Sequence, residues 1–264
     1  GFSPVICLLL VQRGITTAEE ARKFFKPSLN DLHDPFLMPD MDKAVKRLNR
    51  ALGNKEKILI YGDYDVDGVC AIAIVFLALK KAGAHINYYI PDRHQEGYGL
   101  NETAMKAVAG KYDLLISVDC GISSYKEVEL GKSLGMDIVI TDHHSLPERL
   151  PDCVCVDPKR PGEQPYSELC GAGVAFKLVS ALFGLEEGME YIDLAAIATI
   201  ADIVPLTGEN RQIVREGLKR INSSPRAGLA ALAQAAGVKT NGLSASDIAF
   251  TLAPRLNAAG RLES

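Results

Sequence analysis

Residues 57–68 of the chain read Lys57-Ile-Leu-Ile-Tyr61-Gly62-Asp63-Tyr64-Asp65-Val66-Asp67-Gly68. An apolar run of strand length ends here in three acidic residues at alternate positions, and an apolar stretch of helical length, Ala71–Lys81, follows. A buried strand that leads straight into a helix is typical of a parallel βα unit. The segment therefore predicts an α/β fold in which helices cover a parallel sheet.

The same alternation of strand and helix continues downstream. Apolar runs of strand length occur at Lys57–Tyr61, His85–Ile90, Asp113–Val118, Asp137–Thr141 and Cys153–Val156. Further stretches with helical spacing lie between these runs at Glu102–Ala109 and Ser124–Leu134. We therefore expect residues 55–170 to form an α/β domain, with a parallel sheet and helices on both of its faces.

The flanking segments are predicted to be helical. In residues 1–54, Thr17-Ala-Glu-Glu has the form of a capping box, and Met41–Leu52 carries apolar residues at helical spacing. Strand signals stop after about Gly171, so residues 171–264 are expected to form a mainly helical second half that completes the core. Its helices are predicted at Val174–Phe183, Tyr191–Ala201, Asn210–Asn222, Leu229–Ala236 and Ala245–Leu252.

The composition is that of a soluble globular protein of 264 residues, of which 47% are apolar. Its net charge of −4 argues against electrostatic binding of nucleic acid over the whole surface, although bound cations could reverse the sign locally. The longest apolar runs are too short to span a bilayer, so no membrane association is expected. Six cysteines without a CxxC pair or a secretory leader indicate buried, reduced thiols in the cytoplasm.

Acidic residues and histidines follow three of the predicted strands. The groups are Asp63, Asp65 and Asp67 after the first strand, Asp119 after the third, and Asp142, His143 and His144 after the fourth. The carboxyl ends of parallel strands meet at one edge of the sheet, where ligands bind. Neighbouring acids there would repel one another and lose hydration unless cations were present. Carboxylate and imidazole without thiolate suit manganese or magnesium better than structural zinc.

Each of these motifs also has a simpler interpretation. Asp67 alone could cap the following helix, and the DxDxDG pattern resembles a calcium loop, although an EF-hand needs a further acid between two helices. His143 and His144 could be a surface pair. Asp202, in Thr199-Ile-Ala-Asp202-Ile-Val-Pro205, is by itself better explained as a helix cap than as a ligand.

Taken together and in this order, the motifs resemble the four signature motifs of the DHH phosphoesterase superfamily, and within it the RecJ exonucleases. The motifs are Asp63-Tyr-Asp65-Val-Asp67-Gly, Val118-Asp119-Cys-Gly, Asp142-His143-His144 and Thr199-Ile-Ala-Asp202-Ile-Val-Pro. Other segments that resemble RecJ are Asn30–Met41, Ile90-Pro-Asp-Arg93-His-Gln-Glu-Gly-Tyr-Gly, Cys170-Gly-Ala-Gly-Val-Ala-Phe-Lys and Pro254-Arg255-Leu-Asn257-Ala-Ala-Gly260-Arg261.

The resemblance implies two Mn²⁺ or Mg²⁺ ions in a cleft between the sheet and the helical half. One ion would be held by Asp63, Asp65 and Asp119, and the other by Asp67, Asp119, His143 and Asp202. His144 would face the scissile phosphate, and Asp142 would orient its neighbours. The implied activity is a two-metal 5′-3′ exonuclease, which hydrolyses phosphodiester bonds of single-stranded DNA to 5′-mononucleotides in DNA repair and recombination.

The resemblance also suggests residues that contact the DNA, namely Arg93, Arg255, Asn257 and Arg261. A solvated surface or inter-helix ion pairs would explain these four equally well. Gly171 and Gly173 could offer backbone N–H groups to a phosphate, although close helix packing explains two glycines as well. Helicase and single-strand-binding protein are partners implied by the family. The DHHA1-like and OB-like domains with which RecJ proteins continue are expected to be absent.

Two other functions remain open at this stage. Within the same superfamily, a phosphodiesterase that cleaves short oligonucleotides or cyclic dinucleotides, or an enzyme that cleaves pyrophosphate, would use the same metal core. Such an enzyme would depend little on salt, whereas binding of a long strand weakens steeply as salt rises. A non-catalytic binding module is a different class of function, and the complete set of ligands argues against it.

Overall fold

The computed structural model describes residues 2–92 and 96–259, and its centre is a parallel sheet of five strands in the order β2-β1-β3-β4-β5. The strands are β1 (Lys57–Gly62), β2 (His85–Tyr89), β3 (Leu114–Val118), β4 (Asp137–Thr141) and β5 (Val154–Val156). Each predicted strand is present, with ends that differ from the prediction by at most one residue. β1, β3 and β4 lie inside the sheet, so their carboxyl ends are side by side.

Helices of the α/β domain cover both faces of this sheet. They are α3 (Met41–Gly53), α4 (Val66–Lys81), α5 (Glu102–Val108) and α6 (Tyr125–Ser133), and they follow α1 (Pro4–Val11) and α2 (Ala18–Phe25). Along β1, Ile58 and Ile60 face one core with α3 and α4, whereas Leu59 and Tyr61 face a second core with α5 and α6. The predicted fold class, a parallel sheet with helices on both faces, is confirmed.

The second half of the chain is helical, as predicted. Its helices are α7 (Gly171–Phe183), α8 (Leu185–Met189), α9 (Ile192–Ala201), α10 (Gly208–Ser223), α11 (Ala227–Ala235), α12 (Ala245–Asp247) and α13 (Ala253–Ala259). Helix α9 is apolar and contacts α4, α7 and α10, so one continuous core joins the sheet to the helical half. Gly217 lets α10 approach α9 closely, because a Cβ there would collide with the Ala196 side chain.

The end of the chain corrects one predicted boundary. A helix was predicted to end at Leu252, but a π-helical turn at Ile248–Leu252 continues directly into α13. Pro254 does not stop the helix, because it lies in the first turn of α13 and next to a π turn, where a missing N–H is tolerated. The continued helix carries Asn257 toward the start of α4.

The N-terminal segment is attached to the helical half through hydrogen bonds of the His33 backbone to a buried ion pair. The Lys177 ammonium contacts the Glu209 carboxylate and donates a hydrogen bond to the carbonyl of His33. Glu209 Oε1 in turn accepts the His33 N–H at 2.7 Å. The predicted capping box at Thr17 is confirmed at the start of α2.

The six cysteines are free, but not all are buried. Cys70, Cys120, Cys155 and Cys170 are buried, whereas Cys7 is exposed on α1 and Cys153 is partly exposed. The prediction of buried thiols is therefore wrong for Cys7, which lies in a helix whose apolar side chains are largely exposed. Of the helices in residues 2–92 and 96–259, none combines the length and apolar character needed to cross a membrane.

Candidate metal centre

The turn after β1 directs its acidic side chains toward the carboxyl edge of the sheet. Asp65 is the N-cap of α4, and its Oδ1 accepts the Gly68 N–H at 3.0 Å. Gly68 is required in this turn because a Cβ would lie 2.5 Å from the carbonyl oxygen of Asp63. The helix-cap interpretation therefore applies to Asp65 rather than to Asp67, and it leaves Asp63 and Asp67, both buried, unexplained.

The Asp67 carboxylate faces the N-terminus of α7 in the helical half. Its oxygens accept the N–H groups of Gly171 and Ala172, both at 2.7 Å. A helix N-terminus favours a negative charge, yet burial is the stronger effect and raises the pKa of Asp67. The Gly171 N–H that was predicted to meet a phosphate is thus bonded to a carboxylate in this structure.

Both predicted glycines are packed closely. A Cβ at Gly171 would lie 2.5 Å from Asp119 Oδ1, and a Cβ at Gly173 would lie 3.3 Å from the Leu169 side chain. Close packing therefore accounts for both residues, and their contact with a phosphate stays a prediction.

Asp119 follows β3 at the centre of the site. Its φ of 58° lies in the left-handed region, which is uncommon for a residue with a side chain and is a feature of functional sites. The next residues turn sharply, with Gly121 at a φ of 111° and a hydrogen bond from the Ser117 hydroxyl to the Cys120 carbonyl. Burial raises the pKa of Asp119 well above its ordinary value, and the neighbouring carboxylates of Asp67 and Asp65 raise it further.

The segment after β4 supplies two histidines. His143 Nε2 lies 3.0 Å from Asp119 Oδ1, 3.5 Å from Asp67 Oδ2 and 3.9 Å from Asp202 Oδ2. Burial lowers the pKa of His143, so its neutral form, which can bind a cation, is favoured. Asp202, at the C-terminal end of α9, reaches the same point from the helical half.

Asp142 holds the loop that carries the histidines. Its Oδ1 accepts the N–H of His143 at 2.7 Å and the His144 ring Nδ1 at 2.7 Å, and its Oδ2 accepts the Ile122 N–H at 2.9 Å. Burial alone would raise the pKa of Asp142, but these hydrogen bonds outweigh burial and keep it below the ordinary value. The same contact with Asp142 raises the pKa of His144.

Three groups of potential ligand atoms overlap at this edge of the sheet. In each, the atoms lie within 4.8 Å of one another, and the groups are Asp63, Asp65 and Asp119; Asp67, His143 and Asp202; and Asp119, His143 and His144. Buried Asp119 Oδ1 makes no hydrogen bond within the described part of the chain, although His143 Nε2 is 3.0 Å away. Burial also raises the pKa of Asp202 to about 6. These carboxylate and imidazole donors fit hard divalent cations.

Of the four side chains that were predicted to contact DNA, the structure describes two, Arg255 and Asn257. Asn257 Oδ1 accepts the Val66 N–H at 3.0 Å and so lies beside the turn that carries Asp65 and Asp67. Arg255 is exposed and donates a hydrogen bond to the Thr251 carbonyl on its own helix. Arg93 and Arg261 lie outside the described residues. None of these four residues belongs to the three ligand groups found in residues 2–92 and 96–259.

Two residues near the site were not found from the sequence. Asp157 directly follows β5, is fully buried, and has its pKa raised to about 7 by burial. The rule that acids after strands mark the site would have found it at the end of the fifth predicted strand. Tyr98 comes from the loop after β2, and its hydroxyl lies 3.2 Å from the Asp119 carbonyl and 3.2 Å from the His144 ring. Tyr98 lies in the segment from Ile90 that resembles RecJ, but only Arg93 of that segment was singled out.

A family model described as the DHH family, N-terminal domain, matches residues 57–203, which include every residue of the three ligand groups. The chain belongs to the DHH family. The single-stranded-DNA-specific exonuclease RecJ of Bacillus subtilis is 46% identical to this DHH chain over 264 residues, which are 99% of this chain and 34% of that protein. RecJ of Thermus thermophilus is 40% identical over 238 residues, which are 88% of this chain and 35% of that protein.

Solved structures agree with this DHH assignment. A crystal structure of exonuclease RecJ bound to manganese matches with a TM-score of 0.80 at 38% identity, over 89% of this chain and 60% of that chain. RecJ from Thermus thermophilus in complex with Mn²⁺ matches with a TM-score of 0.81 at 35% identity, over 96% of this chain and 36% of that chain. The DHH chain spans about a third of the length of the two curated relatives described above.

Proposed function

We propose that this chain is the catalytic core of a metal-dependent exonuclease that hydrolyses single-stranded DNA from its 5′ end and releases 5′-mononucleotides. One observation carries the proposal. Carboxylates and an imidazole from β1, β3, β4 and α9 converge on Asp119 in groups that suit two adjacent cations. The similarity to the single-stranded-DNA-specific exonuclease RecJ supports single-stranded DNA as the substrate, and the 5′ polarity is part of the proposal. A helicase or single-strand-binding partner and a cytoplasmic location remain predictions.

The ligand groups divide between two ions, Mn²⁺ or Mg²⁺. Asp63, Asp65 and Asp119 would hold one, and Asp67, Asp119, His143 and Asp202 would hold the other. Two such ions neutralise charge on the phosphate oxygens and lower the pKa of bound water. The raised pKa values of Asp67, Asp119 and Asp202 are consistent with this division. Repulsion between neighbouring carboxylates contributes to these raised values, and a bound cation would relieve that repulsion.

His144 is the residue that we place opposite the phosphate. Its side chain is 45% exposed, while its Nδ1 is fixed 2.7 Å from Asp142 Oδ1, so the ring is oriented but reachable. The raised pKa of His144 keeps more of the ring protonated near neutral pH, so Nε2, which lies 3.2 Å from the Tyr98 hydroxyl here, would donate a hydrogen bond or a proton to a phosphate oxygen in place of that contact. Asp142 acts through this ring and is a positioning residue.

Tyr98 is expected to hold His144 from the opposite side. The two rings meet edge to face with centroids 5.6 Å apart, and the Tyr98 hydroxyl bridges the ring and the Asp119 carbonyl. Tyr98→Phe should lower kcat/KM for DNA hydrolysis about 5- to 10-fold, which corresponds to one lost hydrogen bond of about 1 kcal/mol. Steady-state kinetics of wild type, Tyr98→Phe and Tyr98→Ala test this. Equal rates for the wild type and Tyr98→Phe would show that the hydroxyl has no role.

The proposed function is tested by Mn²⁺-dependent hydrolysis of a 5′-phosphorylated single-stranded oligonucleotide beside a dinucleotide. We expect the long strand to lose nucleotides from its 5′ end, at a rate that falls steeply as salt rises. An Asp119→Asn variant serves as the control for contaminating nucleases. Cleavage of the dinucleotide alone, with little salt dependence, would instead support the phosphodiesterase for short or cyclic substrates. No Mn²⁺-dependent hydrolysis of either substrate would contradict both functions.

A further inference from the structure

Two cysteine thiols are in contact at the start of β5. Cys153 and Cys155 are two residues apart, so their side chains lie on the same side of the strand, and their sulfurs are 3.7 Å apart. Cys155 is buried in the core beneath α5 and α6, whereas Cys153 is partly exposed. Within residues 2–92 and 96–259, this is the one hydrogen bond that joins two sulfurs.

The surroundings of this pair favour a thiolate at Cys155, whereas the shared hydrogen bond and burial raise the pKa of Cys153. The pKa of Cys155 lies below its ordinary value because it shares a hydrogen bond with Cys153, and the Arg160 guanidinium, which donates to the Cys155 carbonyl, adds a nearby positive charge. The Cys153 N–H donates to the Pro151 carbonyl at 2.9 Å, so a tight turn holds the two residues at the edge of the sheet. A low-molecular-weight oxidant can reach the pair from the solvent side of Cys153.

The thiol pair is linked directly to the metal centre. In the part of the chain that the structure describes, β5 is an edge strand and pairs only with β4, whose end carries Asp142, His143 and His144. Beyond this pairing, the Asp142 N–H donates to the carbonyl of Val156 at 3.0 Å, and Val156 follows Cys155. Cys155 is therefore separated from Asp142 by one residue and one hydrogen bond.

We propose that Cys153 and Cys155 form a site of reversible oxidation, in which an intrachain disulfide lowers the activity of the neighbouring metal centre. The disulfide itself does not depend on the function proposed above, whereas its effect on hydrolysis does. The class of oxidant is a peroxide, and a thiol reductant reverses the reaction.

The oxidation proceeds in two steps. The Cys155 thiolate, which accepts the hydrogen bond of the Cys153 thiol, attacks one oxygen of hydrogen peroxide, the O–O bond breaks, and protonation of the departing hydroxide leaves Cys155 sulfenic acid and water. The Cys153 thiol then loses its proton and attacks the Cys155 sulfur, and the S–O bond breaks. Its hydroxide takes up a proton to form a second water, so two sulfurs lose one electron each and peroxide gains two.

The test uses a Cys7→Ser protein as the reference, because Cys7 is the other accessible thiol. The protein is treated with hydrogen peroxide, and its free thiols are blocked. The tryptic peptide 150–159, whose only cysteines are Cys153 and Cys155, is then examined by mass spectrometry. We expect this peptide to carry no blocking group and to be lighter than the reduced, unblocked peptide by two hydrogen atoms. Dithiothreitol should return it to the reduced mass. Cys7→Ser combined with Cys155→Ser should form no such peptide.

Hydrolysis and Mn²⁺ binding are measured on the same samples. Oxidation should lower hydrolysis by roughly 10-fold, the size of effect known for partners of metal ligands, and weaken Mn²⁺ binding, with recovery in dithiothreitol. A blocked or over-oxidised peptide without the disulfide mass would overturn the site itself. A disulfide that leaves both Mn²⁺ binding and hydrolysis unchanged would overturn the link to Asp142. If the reduced protein has no hydrolytic activity, the function fails, and the peptide masses and Mn²⁺ binding still decide this proposal.

Discussion

Asp119→Asn is expected to lower the rate of DNA hydrolysis by roughly 10³-fold or more, or about 4 kcal/mol of transition-state stabilisation, while the fold stays intact. Asp119 contributes to both proposed ion sites, so one substitution affects both. Asparagine is the suitable replacement because it keeps the size of the side chain and tolerates the left-handed backbone at this position better than alanine does. The measurement is Mn²⁺-dependent turnover of a 5′-phosphorylated oligonucleotide.

The same variant should be more stable than the wild type when no metal is present. The folded-state pKa values of Asp67, Asp119 and Asp202 are raised, the last from 3.8 to about 6, so between these values the folded state binds more protons than the unfolded state. The contribution of these three groups to the stability of the metal-free wild type therefore falls as pH rises from about 4 through about 6. Asp119→Asn removes one of these groups, which should make the fall in stability shallower.

Thermal unfolding in EDTA at several pH values, and again in Mn²⁺, measures this effect. We expect Mn²⁺ to raise the Tm of the wild type strongly and that of Asp119→Asn weakly, since ligand binding to the folded state stabilises it by mass action. Asp152→Asn is the matched control, because the Asp152 side chain is 85% exposed and lies outside the site. Full turnover by Asp119→Asn would remove the two-metal mechanism.

Asp142→Asn is expected to reduce both activity and stability. The amide has one oxygen, so its NH₂ group must face either the Ile122 N–H or the N–H groups of the histidine loop, and donor then meets donor in a buried position. The loss should be about 2–4 kcal/mol in the free energy of unfolding and roughly 10²-fold in kcat/KM. Denaturant unfolding and steady-state kinetics measure the two effects separately.

A pH profile distinguishes the positioning role of Asp142 from a general loss of stability. Asp142 raises the pKa of His144, so without the carboxylate this pKa falls and the protonated ring is lost at a lower pH. In the pH profile of kcat/KM, the fall at high pH should then occur at a lower pH in Asp142→Asn than in the wild type. In Asp152→Asn the fall should occur at the same pH as in the wild type. An unchanged profile in Asp142→Asn would argue against protonated His144 as the donor to phosphate.

Much of the metal centre was predictable from the sequence because of how parallel sheets are built. The carboxyl ends of β1, β3 and β4 share one edge, so acids that follow different apolar runs had to meet there. Asp202 could not be found this way, because it comes from α9 and a single acid at a helix end is usually a cap. Only the resemblance to the DHH superfamily pointed to it.

Contacts between residues that are far apart in the chain could not be predicted from the sequence. The hydrogen bonds from Gly171 and Ala172 to Asp67 join residues 104 and 105 positions apart, and no local pattern reveals which helix end will face which carboxylate. The same applies to Tyr98, which reaches His144 across 46 positions. The predicted helix end at Leu252 was wrong for a local reason, since the π turn before Pro254 removes the usual conflict with a helical hydrogen bond.

The hydrogen bonds that the first turn of α7 donates to Asp67 place the cluster of potential ligands at the contact between the two halves of the molecule. When α7 separates from the sheet, Asp67 loses the N–H groups that hold it, and the Asp202 end of the same core moves away from His143. We therefore expect the helical half and this edge of the sheet to open as one cooperative unit. A bound divalent cation would hold this unit closed. The concentration of free cation should then determine how often the unit opens and exchanges its amide protons with water.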